Sequence, residues 1–468
     1  MQQSLGSLCP TLLRSPAAES VVGAATMLEK VLPLTRLAST EDALDQTLLE
    51  VGRQGRTVIQ VVRANSHFAL VRDESTAASE QQYFQLGSLS KFLTALCAIF
   101  LDSHGLFNLD KAILVDDEDL VPSYYGTPVR ITARHVLHHF TGLNVRSFPG
   151  YARSSSSIDL RSIVSGAERS QPLTYRTFPL SRVTYSSGAF VLLQLELERL
   201  GIDLQDALYS CLHELVGGCD VLIDRPGPLF DGAARAYVHP SIAVPDGALY
   251  YPETCSQGLW AQPADLVRVL VAVGNLLRAK QKKHSFAGRV SRQLLDLQYH
   301  RRMAMSVLVD RTADGDLYYH HQGANAGYTS DMYSLPQEDL HVIGMTSSSM
   351  TPDELRSVLF VALDEVSQKR RFSHGSALPR PKKDSQVARR LIHGDYSNDG
   401  MTASVRGTAA TVQSAGGFEI TLQQGSDEST FTGVANGPSL LCTDDSAFYT
   451  DSSTWAHLRR VEIARSDG

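Results

Sequence analysis

The chain has 468 residues, 43% of them hydrophobic and 20% charged, and its 43 basic and 50 acidic side chains give a formal net charge of −7. This length predicts two or three structural units around a large buried core, which excludes a peptide or a disulfide-stapled miniprotein. The ordinary, slightly acidic composition does not indicate a nucleic-acid binder.

The N-terminal residues and the cysteines predict where the protein resides. Residues 1–34 lack a positive stretch followed by a continuous apolar run, so a secretory signal is not expected. The longest apolar run, residues 92–101, is shorter than the roughly 20 residues that a membrane span needs. No C-x-x-C pair occurs, and Cys97 lies in an apolar run that favours a buried, reduced thiol. We expect a cytoplasmic protein with structural cysteines.

The first half of the chain predicts a hairpin followed by a region rich in helices. Residues 57–73 hold two apolar runs with a polar connection, which is typical of two paired strands. A helix that is apolar nearly all round is predicted from Ser88 to Gly105, where the glycine would end it. Residues 106–255 combine helical stretches, such as residues 189–200, with long loops, and we interpret them as a mainly helical subdomain.

The second half returns to strands and ends in a separate unit. A helix is predicted over residues 265–280, strands over 316–349, and a further helix over 352–371. Residues 374–386 are polar, with two prolines and two lysines, and predict an exposed linker. Residues 387–468 alternate short strand-like segments with turns, which predicts a small all-β domain.

A Ser-x-x-Lys sequence opens the predicted apolar helix. Side chains three residues apart share a helix face, so Lys91 can reach the hydroxyl of Ser88. A serine becomes a good nucleophile when a neighbouring base removes its proton, and a desolvated lysine can be that base. The alternative is that Ser88 only caps the helix. Ser90 is a weaker candidate because it points elsewhere on the helix.

The surrounding sequence gives this pair a context. FQLGSLSK (84–91), LDSHGLFNLD (101–110) and ITARHVLHHFTGL (131–143) follow one another in an order that resembles the serine β-lactamase-like superfamily, in its branch of class C β-lactamases, penicillin-binding proteins and esterases or transesterases. In that family a Tyr-x-Asn motif and then a Lys-Thr-Gly or His-x-Gly motif follow the Ser-x-x-Lys. The resemblance covers about residues 20–370.

Both later motifs have counterparts here. VTYSSGAFVLL (183–193) resembles the second motif, with Tyr185 in the tyrosine position and Ser187 where the family usually has asparagine. YHHQGANAGY (319–328) resembles the third, with His321 and Gly323 forming the His-x-Gly variant. The histidine pairs 138–139 and 320–321 lack the spacing of a metal site, so no metal is expected. His139 is expected to belong to a structural loop.

The resemblance implies a fold and a division into domains. The expected fold class is α+β, an α/β sandwich with an antiparallel sheet plus the helical subdomain, of β-lactamase/transpeptidase-like type. The catalytic domain would span residues 20–373 with residues 106–255 inserted, followed by the linker 374–386 and the all-β domain 387–468.

The resemblance also implies a mechanism with no cofactor. Ser88 would attack a carbonyl carbon, Lys91 and Tyr185 would share the proton transfers, and His321 would orient substrate or polarise Tyr185. The backbone N–H groups of Ser88 and Ala324 would form the oxyanion hole. The implied site comprises catalytic Ser88, Lys91 and Tyr185 and the substrate-binding or oxyanion residues Ser187, His321, Gly323 and Ala324.

The asparagine-to-serine change at Ser187 separates the functional hypotheses. In the family that asparagine helps to hold the lysine and the amide of a β-lactam or peptide, and a serine hydroxyl offers fewer contacts. The leading hypothesis is therefore a serine hydrolase or acyltransferase for an ester, thioester or amide of a small metabolite in secondary metabolism, with an acyl acceptor or carrier as a further partner. The alternatives are a peptidase or amidase specific for D-amino acids and a catalytically silent binding scaffold.

Overall fold

A computed structural model describes eight C-terminal strands and most of residues 55–367, the expected catalytic part of this chain. The described residues are 55–64, 66–72, 82–115, 117, 119–155, 157–167, 169–239, 242–367, 394–397, 401–406, 409–424, 430–432, 439–442, 446–450 and 455–460. The predicted linker 374–386 and the predicted start of the catalytic domain at residue 20 lie outside this set, so the domain boundaries stay predictions.

The elements are numbered in chain order within the described residues. The helices are α1 Ser90–Ser103, α2 Ala133–Leu137, α3 Leu160–Val164, α4 Gly188–Arg199, α5 Leu204–Val216, α6 Pro263–Arg278, α7 Phe286–Gln293 and α8 Pro352–Val366. The strands of the catalytic part are β1 Thr57–Arg63, β2 Ser66–Arg72, β3 Phe84–Gln85, β4 Val221–Ile223, β5 Tyr237–His239, β6 Ile242–Ala243, β7 Leu259–Ala261, β8 Leu308–Arg311, β9 Leu317–Asn325, β10 Tyr328–Leu335 and β11 Leu340–Thr346. The C-terminal strands are β12 Gly394–Ser397, β13 Met401–Arg406, β14 Ala409–Ser414, β15 Glu419–Gln424, β16 Thr430–Thr432, β17 Ser439–Cys442, β18 Ser446–Thr450 and β19 Trp455–Arg460.

A six-stranded antiparallel sheet joins the two ends of the catalytic part. Its strand order is β2-β1-β11-β10-β9-β8, and Thr57 lies opposite Thr346 where β1 pairs with β11. The predicted hairpin over residues 57–73 is confirmed as β1 and β2. The strands predicted near residue 57 and near residue 346 therefore lie side by side in one sheet.

Helices cover both faces of this sheet. Successive residues of a strand point to opposite faces, and here Val58 and Ile59 belong to different hydrophobic clusters. Helix α6 packs on β1 and β11 on the first face, and α8 packs on β10 and β11 on the second. Both faces are buried, which explains why the apolar residues of β1 are nearly continuous. The expected α/β sandwich is confirmed.

Helix α1 is the central helix of the catalytic part. Its residues from Ser90 to Leu101 are all buried, as the apolar pattern predicts, and it contacts α5 and α7. The helix begins two residues later than predicted because residues 87–89 form a 3-10 turn. It ends at Ser103, shortly before Gly105 adopts the left-handed φ of 71° that favours glycine.

The region between residues 106 and 255 contains fewer helical residues than predicted. Helices α4 and α5 are long, but α2 and α3 have five residues each and the remainder consists of loops and short strands. None of the described helices combines the length and apolar composition that crossing a bilayer requires.

The C-terminal strands form the expected all-β unit. Strands β12 to β19 make a closed antiparallel barrel, with Tyr396 of β12 opposite Arg460 of β19. The turn between β14 and β15 packs against the catalytic part: the Phe418 ring lies 5.3 Å from that of Phe178, and the Gly416 N–H donates to the Leu180 carbonyl at 2.9 Å. The barrel thus contacts the segment that precedes Tyr185.

Candidate active site

Ser88 lies in a turn that is held between two strands. The Leu86 N–H donates to the Leu259 carbonyl at 2.8 Å, and the Ser330 hydroxyl donates to the Leu86 carbonyl at 2.8 Å. A Cβ on Gly323 would come within 2.0 Å of the Leu86 oxygen, so β9 approaches the turn as closely as only glycine permits.

The position of Ser88 is not that of a helix cap. Neither the 3-10 turn nor α1 has a side chain that caps its N-terminus, and Ser88 itself is half-buried. Ser90, in contrast, is fully buried, and its hydroxyl accepts a hydrogen bond from the Leu259 N–H at 3.2 Å. Of the two serines, Ser88 is the one that a substrate can reach.

Lys91 reaches Ser88 as the helical spacing predicts. Its Nζ donates to Ser88 Oγ at 3.2 Å and to the Ser256 carbonyl at 2.9 Å. The ammonium lies 5.1 Å from the centre of the Tyr185 ring and 5.4 Å from that of Phe190. Lys91 is fully buried, and no carboxylate among the described residues forms an ion pair with it. Burial therefore lowers the pKa of Lys91 to about 7, which brings a neutral amine within reach at neutral pH.

Tyr185 stands beside the same serine. Its ring stacks on that of His139 with 4.1 Å between centroids. Burial raises the pKa of Tyr185 to about 12, while the Ser88 hydroxyl and the charge of Arg146 oppose the rise. The phenol is therefore protonated at neutral pH.

Two neutral histidines line the tyrosine. The ring of His321 lies 6.3 Å from that of Tyr185, and burial together with the Lys91 charge lowers the pKa of His321 to about 3. Burial likewise holds the pKa of His139 well below its usual range. The Lys91 ammonium beside these rings opposes their protonation, so both rings are neutral at neutral pH. Among the described residues, no group of three or more histidine, cysteine or acidic side chains could hold a metal ion.

The Ser187 hydroxyl forms its hydrogen bond with a neighbouring loop, whereas Lys91 donates to Ser88 and to the Ser256 carbonyl. The Ser187 hydroxyl donates to the Arg146 carbonyl at 2.8 Å. The hydroxyl that stands where the family usually has an asparagine amide is thus used to hold a neighbouring loop.

The backbone of β9 meets the turn of Ser88. Gly87 has a φ of 51°, and a Cβ on it would lie 2.6 Å from the Ala324 nitrogen. This contact brings the turn of Ser88 next to Ala324, whose amide is the second donor of the expected oxyanion hole.

A buried polar network behind these amides was not predicted. Asn325 Nδ2 donates to Gln85 Oε1 at 2.9 Å and to the Gln257 carbonyl at 3.1 Å. Gln85 Nε2 in turn donates to Asp224 Oδ2 at 3.2 Å, and Asp224 pairs with Arg153 at 3.1 Å. The network joins five residues that are far apart in the chain, from Gln85 to Asn325. Asn325 alone had a sequence signal, since it follows the third motif.

The chain resembles known proteins in the same region. The family model described as Beta-lactamase matches residues 42–366. No curated protein matches the chain.

Solved structures share the fold at low sequence identity. SurE with D-Leu is 16% identical, with a TM-score of 0.54, over 91% of this chain and 100% of its own. A β-lactamase/D-alanine carboxypeptidase from Pseudomonas syringae is 15% identical, with a TM-score of 0.54, over 71% of this chain and 99% of its own. A class C β-lactamase is 14% identical, with a TM-score of 0.58, over 73% and 99%. The match to SurE covers more than residues 1–367 could supply, so it extends into the C-terminal strands.

Proposed function

The chain belongs to the beta-lactamase family, and from that premise we propose that it is a serine hydrolase or acyltransferase that forms an acyl-enzyme on Ser88. The proposed substrate is an ester, thioester or amide of a small metabolite, in secondary metabolism. The observation that carries the proposal is the 3.2 Å distance between Ser88 Oγ and the amine of the buried Lys91. We also propose a cytoplasmic location, which the buried free thiols Cys97, Cys211, Cys219 and Cys255 support.

The proposed first step uses Lys91 as the base. Neutral Lys91 takes the proton of Ser88 as Oγ attacks the carbonyl carbon, and the resulting oxyanion accepts hydrogen bonds from the N–H groups of Ser88 and Ala324. The bond to the leaving group then breaks, and the leaving group takes a proton that Lys91 and Tyr185 relay. Burial favours this division of roles because it lowers the pKa of Lys91 to about 7 and raises that of Tyr185 to about 12.

The second step releases the acyl group. Water or an acceptor hydroxyl, amine or thiol loses its proton to the same Lys91–Tyr185 pair, attacks the ester carbonyl and frees Ser88. His321, whose ring lies 6.3 Å from that of Tyr185, orients the substrate or polarises Tyr185 in this proposal. The Ser187 hydroxyl donates its hydrogen bond to the Arg146 carbonyl, so it is not available to hold a substrate amide. This supports an ester or thioester as the substrate over a β-lactam.

Acyl-enzyme formation is directly testable. After brief exposure to p-nitrophenyl esters of several chain lengths and to a fluorophosphonate, intact-protein mass spectrometry is expected to detect a covalent adduct, and peptide mapping to place it on Ser88. If the folded protein forms no adduct with any reagent, the silent scaffold becomes the better interpretation.

A D-amino-acid peptidase or amidase is the second candidate function. Two proteins with the same fold are connected with D-amino acids: SurE was solved with D-Leu, and the other is a β-lactamase/D-alanine carboxypeptidase. Hydrolysis of D-alanyl p-nitroanilide at a rate matching the corresponding ester would favour this candidate, and activity on esters alone would exclude it.

Asn325 is expected to position the proposed oxyanion hole. Replacing Asn325 with alanine removes the bond between Gln85, three residues before Ser88, and the residue after Ala324. Because a small displacement of an aligned group is costly, kcat is expected to fall by about 10- to 100-fold with little change in KM. Steady-state kinetics on a p-nitrophenyl ester checks this.

Gln322→Ala is the matched control for Asn325→Ala. The Gln322 amide lies on the other face of β9, where it donates to the Pro352 carbonyl at 3.0 Å and to Asp331 at 3.3 Å. Each variant loses two partly buried amide hydrogen bonds, worth about 1 kcal/mol apiece, so similar losses of stability are expected. An equal fall in kcat in both variants would contradict the positioning role.

A further inference from the structure

The loop of Arg146 is fixed directly to the second motif. The Ser187 hydroxyl donates to the Arg146 carbonyl at 2.8 Å, and the N–H groups of Ser187 and Gly188 donate to the Val145 carbonyl at 2.8 and 3.1 Å. Val145 has a φ of 59°, which is an unfavourable conformation for a β-branched residue. Such strain persists only where the surroundings determine the backbone conformation.

Further contacts hold the loop on both sides of Arg146. The Ser186 hydroxyl donates to the Asn144 carbonyl, and Asn144 Nδ2 donates to the Thr174 hydroxyl at 2.9 Å. On the other side, Gln257 Nε2 donates to the Phe148 carbonyl at 3.2 Å. The backbone that carries Arg146 is therefore well anchored beside the cleft.

The Arg146 side chain itself forms no hydrogen bond with any residue that the structure describes. Its guanidinium carbon lies 5.5 Å from the centre of the Tyr185 ring, and the residue is exposed. No carboxylate in the part of the chain described here forms an ion pair with it, whereas Arg153 is paired with Asp224. An exposed guanidinium next to the proposed catalytic tyrosine keeps its N–H donors available to a ligand, in a chain whose net charge is −7.

We infer that Arg146 binds an anionic group of the substrate, a carboxylate or a phosphate, and so selects acyl donors or acceptors that carry one. A guanidinium presents a planar set of donors that matches either oxyanion with two parallel hydrogen bonds. The inference rests on the proposed function, because it places this group on the substrate that Ser88 attacks. The inference also accounts for Ser187. The serine hydroxyl holds the backbone of Arg146, and the arginine, not the motif residue, then makes the contact that selects the substrate.

Arg146 could instead act on Tyr185 by its charge alone. That role would change the turnover of neutral and anionic substrates alike, so a comparison of matched substrates separates the two.

Two pairs of substrates provide the test. Mono-p-nitrophenyl adipate and p-nitrophenyl hexanoate differ by a carboxylate at the end of the acyl chain. Butyryl-4′-phosphopantetheine and butyryl-pantetheine differ by a phosphate on the leaving group. Arg146→Gln is expected to lower kcat/KM by tenfold or more for the anionic member of one pair and to change that of the neutral member less than twofold.

The experiment has one control variant and two results that contradict the inference. Arg130→Gln removes an exposed arginine elsewhere and is expected to change neither ratio. A loss shared by both members of each pair, or no loss for any substrate, overturns the inference. The pair that responds identifies the source of the anion as the acyl chain or the leaving group.

A binding measurement separates this inference from the proposed function. In protein carrying Ser88→Ala, calorimetric titration with mono-p-nitrophenyl adipate and with butyryl-4′-phosphopantetheine needs no turnover. Adding Arg146→Gln is expected to raise the Kd of one of them at least tenfold, and unchanged values overturn the inference. A parent protein that forms no Ser88 adduct overturns the proposed function, and the binding result then decides the role of Arg146 by itself.

Discussion

Replacing Ser88 with alanine is expected to lower kcat for p-nitrophenyl esters by at least about 10⁴-fold, since the covalent route disappears with its nucleophile. Lys91, Tyr185 and the two backbone amides stay in place, so binding of the ester is expected to be retained. The measurement combines steady-state turnover with the mass of the intact protein after exposure to a fluorophosphonate.

Ser90→Ala is the matched control for this variant. It removes a serine hydroxyl two residues away that is buried and bonded to the Leu259 N–H. It is expected to cost about 1 kcal/mol of stability and to keep both turnover and the adduct. Full turnover in the Ser88 variant, or an adduct lost from the Ser90 variant instead, would refute the assignment of the nucleophile.

Replacing Lys91 with methionine is expected to lower kcat/KM by about 10³-fold or more, because the base is lost, and to make the protein more stable. The parent buries this amine with no carboxylate partner among the described residues. At neutral pH the unfolded chain therefore binds a proton at Lys91 more readily than the folded chain does. Each unit of difference in pKa corresponds to about 1.4 kcal/mol, so even part of the shift from 10.5 to about 7 outweighs the lost bond to the Ser256 carbonyl.

The gain in stability from Lys91→Met is expected to decrease as the pH rises. Between about pH 7 and pH 10.5 the unfolded parent binds more protons at Lys91 than the folded parent, so the stability of the parent rises with pH through this range. The advantage of Lys91→Met is therefore expected to be largest at or below pH 7 and to shrink as the pH rises towards 10. Thermal or urea unfolding at pH 6, 7.5 and 9.5 checks this.

Catalysis by the parent is expected to follow the same titration. Neutral Lys91 is the active form, so kcat/KM should rise as the pH increases through about 7 and then level off. Lys111→Met, which removes an exposed lysine, is expected to change neither stability nor rate. If the Lys91→Met protein is less stable than the parent at pH 6, burial of the Lys91 amine does not destabilise the folded protein, and this expectation is wrong.

The substitution of serine for asparagine in the second motif has a structural consequence. In the family the amide contacts the lysine and the substrate, whereas the Ser187 hydroxyl contacts the Arg146 carbonyl. Lys91 instead finds its second partner in the Ser256 carbonyl, and Thr94, one turn further along α1, donates to the Cys255 carbonyl at 2.9 Å. The segment of Cys255 and Ser256 thus orients the lysine that the missing amide would otherwise hold.

Local patterns in the sequence determined a large part of this protein. The period of apolar residues predicted α1, α4, α6 and α8, the alternation around residues 57–73 predicted the first hairpin, and helical spacing alone brought Lys91 to Ser88. These features depend on residues a few positions apart, whose geometry the backbone fixes directly. Resemblance to the family added Tyr185, His321, Gly323 and Ala324, which the fold gathers around the same serine.

Only the tertiary structure decided the rest of the site. The Ser256 carbonyl that holds Lys91 is 165 residues away and is a backbone atom, which leaves no mark on the sequence. The Gln85–Asn325 bond joins residues 240 apart, and the position of Arg146 over Tyr185 depends on a loop that Ser187 anchors. The lowered pKa of Lys91 follows from burial among side chains of distant segments, because desolvation is a property of the packed core and not of the Ser-x-x-Lys sequence.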